Sequence, residues 1–404
     1  MERYPCRWLA NPQAATGEEY GPREAAILSR EAAEMVHGEI LSWPVYLTSP
    51  LHALPGLAAE LGLGGLWVKD ESRRFGLNSF KALGGAYAVL RLVQTEVQRR
   101  TQRSVSSSWL QAGDQRQITE EITVATATAG NHGRAVAWGA RQFGCRSVVY
   151  VSQSVSPLRC KALSELGAEV VRVPGTYDDA VARVRHDAEI NGWEVLMDTA
   201  WENYRDIPRW IMLGYTLLAS EVTGQLPDGE RPDLVLVQGG VGGLAAAVCA
   251  WLWESWGTSR PRFVVVEPER AACLMESALK GLPVVVEGGL ETIMGGLAAG
   301  APSLDAWEIL RRGADGFLAI GDDAARQAMC LLARGRDGDA RIVAGESGGA
   351  GLAGLLSALE NNGARQALGL NTQSRVLIIN SEGATDPESY REIVGEPPET
   401  VGMG

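Results

Sequence analysis

An α/β fold built on mostly parallel sheets is the class that this sequence predicts, and three observations predict it. Strand-like and helix-like patterns alternate along most of the chain, the rhythm of βαβ units. Gly239, Gly240, Gly242 and Gly243 cluster where a strand-like stretch passes into a helix-like one. The chain is also long, 404 residues with 46% hydrophobic content, which supports a large core and two lobes rather than one.

The first sheet is expected from about residue 122. There "ITVATAT" reads as a strand, "NHGRAVAWGARQFG" as a helix, "SVVYV" as a strand, "SPLRCKALSELG" as a helix and "AEVVRVP" as a strand. The rhythm resumes after Pro208 with a long apolar helix through Leu226, then "DLVLVQ", "GGLAAAVCAWLW", "RFVVVEP" and "RVLIIN", which predicts a second sheet. Between Gln94 and Glu120 a polar segment reads as an exposed connection or insertion, with Trp109 its only large apolar anchor.

A net charge of −12 with no basic stripe argues against nucleic acid and anionic membranes as partners, and leaves a small molecule as the expected substrate. No apolar run approaches membrane-spanning length, and "MERYPCRWLANPQ" lacks the apolar centre of a signal peptide, so a cytoplasmic protein is expected. Six cysteines without a CxxC pair and four histidines without ligand spacing predict neither a disulfide framework nor a metal centre.

Lys81 in "LNSFKALGGAYAVL" draws attention because Phe80, Leu83, Tyr87, Val89 and Leu90 surround it with apolar residues, and Gly84 and Gly85 allow backbone or ligand to come close. Desolvation would loosen its proton and make it a nucleophile. The turn "QGGVGGLAAAV" offers backbone N–H groups and a helix N-terminus to an anion. Read as G-x-G-x-x-A from Gly240 to Ala245, with Glu267 ending the next strand, it also fits a dinucleotide fingerprint, and a turn serving only helix packing remains open beside both. "TAGNHG", residues 128 to 133, again follows a strand and opens a helix, where N–H groups and the Asn131 amide suit a carboxylate and a ring hydroxyl.

Together "SFKALGGAY", "TAGNHG", "GGVGGL" and "INSEGATDP" resemble the fold-type-II pyridoxal 5′-phosphate enzymes, the superfamily of tryptophan synthase β and threonine dehydratase. The match narrows in "KDESRRFGLNSFKALGGAYA", "DTAWENYRDIPRWIMLGY", "TIMGGLAAG", "GESGGAG" and "SEGATDPESY", which resemble the diaminopropionate ammonia-lyase family over roughly residues 40 to 395. One position departs: the family carries an aspartate just before Gly-Asn-His, and Ala129 stands here, as in the threonine and serine dehydratases.

The resemblance implies two open twisted, mostly parallel sheets flanked by helices, with the cofactor in the cleft between them. Residues 1–86 and 207–404 would form the larger domain and 87–206 the smaller. It implies pyridoxal phosphate held covalently by Lys81, its ring flanked by Phe80, its ring oxygen bonded by Asn131, its phosphate cradled by Gly239, Gly240, Val241, Gly242 and Gly243, and its pyridine nitrogen facing the neutral Ser381. Ser79, Thr128, Ala129, Gly130 and His132 would receive an amino-acid substrate. Glu346 would touch the substrate or stabilise the start of the next helix. Lys81 would take the α-proton, and Asp198 would bind or protonate the leaving β-amine, with a turn-capping role open beside it. The implied reaction is α,β-elimination of L-2,3-diaminopropionate, or a closely related β-substituted amino acid, to pyruvate and ammonia by a homodimer. A serine/threonine-type dehydratase or a β-replacement enzyme is the nearer alternative, and a nucleotide-binding dehydrogenase the more distant one.

Overall fold

Eleven strands form two sheets in a computed structural model that describes residues 3 to 401. The strands are β1 (Cys6–Ala10), β2 (Leu51–Ala53), β3 (Gly65–Asp70), β4 (Thr123–Ala127), β5 (Arg146–Ser152), β6 (Glu169–Val173), β7 (Glu194–Val195), β8 (Leu234–Gln238), β9 (Arg262–Pro268), β10 (Gly316–Ile320) and β11 (Arg375–Asn380). The chain divides into two compact units. One holds the residues up to Arg30, Thr48–Phe80 and the chain from Thr216 on, and the other holds Glu31–Leu47 and Lys81–Tyr215.

The larger unit carries seven strands in the order β1-β10-β9-β8-β11-β3-β2. The central five run parallel, while β1 pairs antiparallel with β10 at one edge and β2 antiparallel with β3 at the other. Every residue of β8 and β10 is buried, as expected for strands covered on both faces, so these strands read as near-continuous apolar runs, interrupted in β8 by Gln238 at its end, rather than as alternation. The smaller unit carries β6-β5-β4-β7, all parallel.

The units break after Phe80 and Tyr215, not at the expected 86/87 and 206/207, and residues 31 to 47 join the smaller unit. Packing explains that last assignment, because the Trp43 ring lies 5.6 Å from Phe143 and 6.1 Å from Trp138, both on the helix Asn131–Phe143. The polar segment before β4 also differs from expectation. The lysine helix runs on from Lys81 to Thr101, and a short helix Ser107–Gln111, capped by the Ser106 hydroxyl, turns Leu110 inward and leaves Trp109 56% exposed. Leu110, not Trp109, is the anchor.

The Gly84-Gly85 pair serves helix packing. A Cβ on Gly84 would stand 2.6 Å from the Tyr215 ring, one on Gly85 2.9 Å from Ala135, and one on Gly139 2.7 Å from the backbone of Ala86. Small residues therefore bring the lysine helix against its neighbours at backbone distance, which fixes where Lys81 stands in the smaller unit.

Candidate active site

In the smaller unit the lysine helix begins at Lys81 itself. A helix N-terminus disfavours a cation, so the ammonium needs a counter-charge nearby. Asp198, in the stretch after β7, supplies it: Lys81 Nζ donates to Asp198 Oδ2 at 2.6 Å, with each side chain one-fifth exposed. Burial acts against the Lys81 ammonium, but the Asp198 carboxylate and the Tyr215 hydroxyl outweigh it and hold the lysine above its ordinary pKa. This corrects the expectation that desolvation alone would loosen the proton. Burial likewise acts against the Asp198 carboxylate, and Lys81 followed by His132 holds it well below the usual carboxylate range.

The "TAGNHG" residues lie between β4 and the helix Asn131–Phe143. Thr128 Oγ1 accepts from the Gly130 N–H at 3.1 Å, and Gly133 has its Cα against the Thr128 carbonyl, where a side chain would collide. These contacts close the turn that presents Gly130, which is exposed, and Asn131, which is half-buried. His132 is buried with Nε2 3.1 Å from the Leu196 carbonyl, and burial lowers its pKa. Ala129 packs beside Ala137, Val149 and Leu163.

In the larger unit, β8 runs into Gly239–Gly243 and the helix Gly243–Trp256. Gly240 (φ +63°) and Gly242 (φ +98°) both adopt the left-handed region. Among the described residues no protein acceptor takes the N–H groups of Gly240, Val241 or Gly243. Uncommitted amides at a helix N-terminus suit a phosphate. The dinucleotide reading fails at Glu267: its two carboxylate oxygens accept the N–H groups of Leu274 and Met275 at 2.8 Å each, and burial pushes its pKa up to about 8. That carboxyl group is fully buried, out of reach of a ribose.

The same unit holds the residues around Ser381. Ser79 forms an antiparallel bridge with Glu382, the Phe80 N–H donates to the Ser381 carbonyl at 3.1 Å, and Phe80 is nearly buried. A buried ion network, Arg74 with Glu71 and Glu221 and Lys69 with Glu221, anchors the chain leading to this bridge. Glu346 accepts from the Ser389 hydroxyl at 2.5 Å, which ties its loop to the helix Pro387–Val394, a contact outside both roles expected of it.

Two residues near these groups escaped the sequence reading. Tyr215, whose ring centre lies 5.7 Å from Lys81 Nζ, is one more large residue in an apolar helix and gives no signal. Gln238 is the single polar residue of "LVLVQ", a mark that could have been noticed.

In the smaller unit a lysine opening a helix and paired with an acid suits an aldehyde, and in the larger unit a glycine turn with uncommitted amides at the end of a parallel strand suits a phosphate. The chain matches the family described as "Pyridoxal-phosphate dependent enzyme" over residues 43–382, so its class is that of the pyridoxal phosphate enzymes, with the fold-type-II architecture. It is 42% identical over 356 residues to diaminopropionate ammonia-lyase of Escherichia coli (strain K12), covering 87% of this chain and 88% of that protein. It is 40% identical over 360 residues to the enzyme of the same name from Salmonella typhimurium, covering 87% and 89%. The crystal structure of holo diaminopropionate ammonia-lyase from Escherichia coli superposes with a TM-score of 0.87 at 37% identity, covering 97% of each chain. This chain belongs to the diaminopropionate ammonia-lyase family.

No helix among the described residues is long and apolar enough to cross a membrane.

Proposed function

We propose that this protein eliminates both amino groups of L-2,3-diaminopropionate, giving pyruvate and two ammonia. The observation that carries the reading is the Lys81–Asp198 pair in a chain of this family, an amine and a carboxylate 2.6 Å apart. When bound, pyridoxal phosphate supplies the electron sink that makes the α-proton removable. Lys81 is the residue that would hold the cofactor covalently, and its free amine is the base that would take the α-proton. Asp198, whose carboxyl Lys81 holds well below the usual carboxylate range, keeps the β-ammonium in place and a proton on the departing nitrogen. The amides of Gly240, Val241 and Gly243 hold the phosphate, and Asn131, Phe80 and Ser381 orient the ring. Ser79, Thr128, Ala129, Gly130 and His132 receive the amino acid. The enamine released after the β-amine departs hydrolyses to pyruvate and the second ammonia.

The active form proposed is a cytoplasmic homodimer, for which sedimentation of the loaded enzyme should give twice the chain mass. The deciding experiment measures pyruvate and ammonia from β-substituted amino acids of both hands. Two ammonia per pyruvate from L-2,3-diaminopropionate is the expected result. Turnover of L-serine or L-threonine without diaminopropionate would instead make this protein a dehydratase.

A further inference from the structure

Gln238 is the last residue of β8, immediately before the glycine turn, and is 1% exposed. Its amide nitrogen lies 3.0 Å from the Ser347 carbonyl, 3.1 Å from the Gly348 carbonyl, 3.0 Å from the Ile379 carbonyl and 2.9 Å from Ser381 Oγ. Three carbonyl oxygens converge on one end of this side chain, so that end must be the NH₂ group. Turning the amide over would set oxygen against three oxygens. The NH₂ shares its two N–H groups among these four acceptors, and the other end, Oε1, is buried without a partner among the described residues.

This arrangement has a directional consequence for Ser381. An amide nitrogen has no lone pair to offer, so Ser381 Oγ can only accept from it. The serine hydroxyl therefore keeps its own proton, and no acceptor among the described residues takes that proton. Ser381 is 3% exposed, and bulk water is a poor alternative partner there.

We propose that Gln238 is a positioning residue for the reaction: by donating to Ser381 Oγ it obliges the serine to act as a hydrogen-bond donor toward the pyridine nitrogen of the cofactor, and so keeps that nitrogen unprotonated. The inference rests on the reading that Ser381 faces this nitrogen. A serine free to rotate could accept from a pyridinium as readily as donate to a pyridine, whereas one already accepting from Gln238 is biased to donate. An unprotonated ring withdraws electrons less strongly, which favours rapid loss of the β-group over a long-lived carbanion. Gln238 thereby links the strand that ends in the phosphate cradle to the electronic state of the ring.

The test loads the enzyme with pyridoxal phosphate labelled with ¹⁵N in the ring and reads the nitrogen shift by NMR on either side of neutral pH. Wild type should show a hydrogen-bonded neutral pyridine whose shift does not follow pH. Ser381→Ala should move the shift to that of a pyridine without a donor; no movement would overturn the placement of Ser381 itself. Gln238→Met should move it in the same direction with Ser381 still present, and lower kcat by up to about tenfold, the size of one oriented hydrogen bond, with KM unchanged. Gln238→Asn is the second variant, since it keeps an amide for the carbonyls but is one methylene too short to hold Ser381 as well. A shift that responds to Ser381→Ala but stays at the wild-type value in whichever Gln238 variant folds would overturn the role of Gln238 and leave the placement of Ser381 standing. A pyridinium in wild type would overturn the proposal directly.

Discussion

The Lys81 ammonium and the Asp198 carboxylate each resist the burial that would neutralise them, because they stand 2.6 Å apart. A lysine pKa above its ordinary value makes the neutral amine scarce near pH 7 and abundant only as the pH rises. Asp198→Asn removes the charge that holds the ammonium and leaves the burial, which acts the other way, so neutral amine should appear at lower pH. Covalent attachment of pyridoxal phosphate to cofactor-free enzyme, trapped by borohydride at the Lys81 peptide, should then reach half its maximal rate at lower pH in the variant. An unshifted profile would show that Asp198 does not govern Lys81. A second expectation concerns hand. Bases for opposite hands must stand on opposite faces of the reacting carbon, and Ala129, where the resembling family has an aspartate, cannot take a proton. The L-isomer should therefore exceed the D-isomer by at least ~10²-fold, the lower end of what a positioned base contributes. Ala129→Asp should restore only part of the D-activity, since Ala129 packs beside Ala137 and Val149, and apolar neighbours hold a carboxyl in its neutral form. Equal pyruvate release from both isomers by the wild-type enzyme would refute this reading.

At the scale of the strand-to-helix turn, the two left-handed glycines should not be equivalent. An alanine at either pays about 1–2 kcal/mol for the left-handed backbone. At Gly242 its Cβ would also stand 3.2 to 3.3 Å from Ala306, Leu310 and Leu274, whereas at Gly240 the nearest atom is 3.5 Å away. Gly242→Ala should thus melt lower than Gly240→Ala, and both should bind pyridoxal phosphate more weakly because the N–H donors shift. Titration by absorbance checks this, and wild-type affinity in both variants would remove the turn from the site. NAD should not compete, because the Glu267 side chain is fully buried and bound to two backbone amides, out of reach of a ribose. Glycines between a strand and a helix were visible in the sequence, yet the side facing the core was not, because that depends on helix Leu304–Gly313, far along the chain. Local pattern likewise could not choose between Trp109 and Leu110 as the anchor of one short helix, a choice made by tertiary packing. The directed contact from Gln238 to Ser381 joins residues 143 positions apart and left only one polar letter in an apolar strand as its trace.

Across the whole molecule, β4, β5 and β6 of the smaller unit were legible because each is followed by a helix of contrasting period, and β8, β9 and β11 for the same reason, whereas the two-residue β7 left no pattern to read. The edge strand β1 was not, since its register is set by pairing Cys6 with Ile320, and β10 is a five-residue apolar run too short to distinguish from helix. The residues proposed to hold the cofactor are divided in sequence as well: Lys81 and Asn131 belong to one unit, Gly239–Gly243 and Ser381 to the other. Covalent attachment and phosphate binding should therefore be separable. Lys81→Ala removes the covalent bond and the α-proton base but leaves the amides of Gly240, Val241 and Gly243 as they are. Ligand that binds only the folded protein stabilises it by mass action, about 2.7 kcal/mol when present at 100 times its Kd. The variant should thus still melt higher when pyridoxal phosphate is added, by less than wild type at equal concentration, while releasing no pyruvate. Gly240→Ala added to Lys81→Ala should abolish most of the remaining gain. If Lys81→Ala alone already melts at the same temperature with and without the cofactor, the glycine turn is not where the phosphate is held, and the helix N-terminus at Asn131 becomes the next place to test.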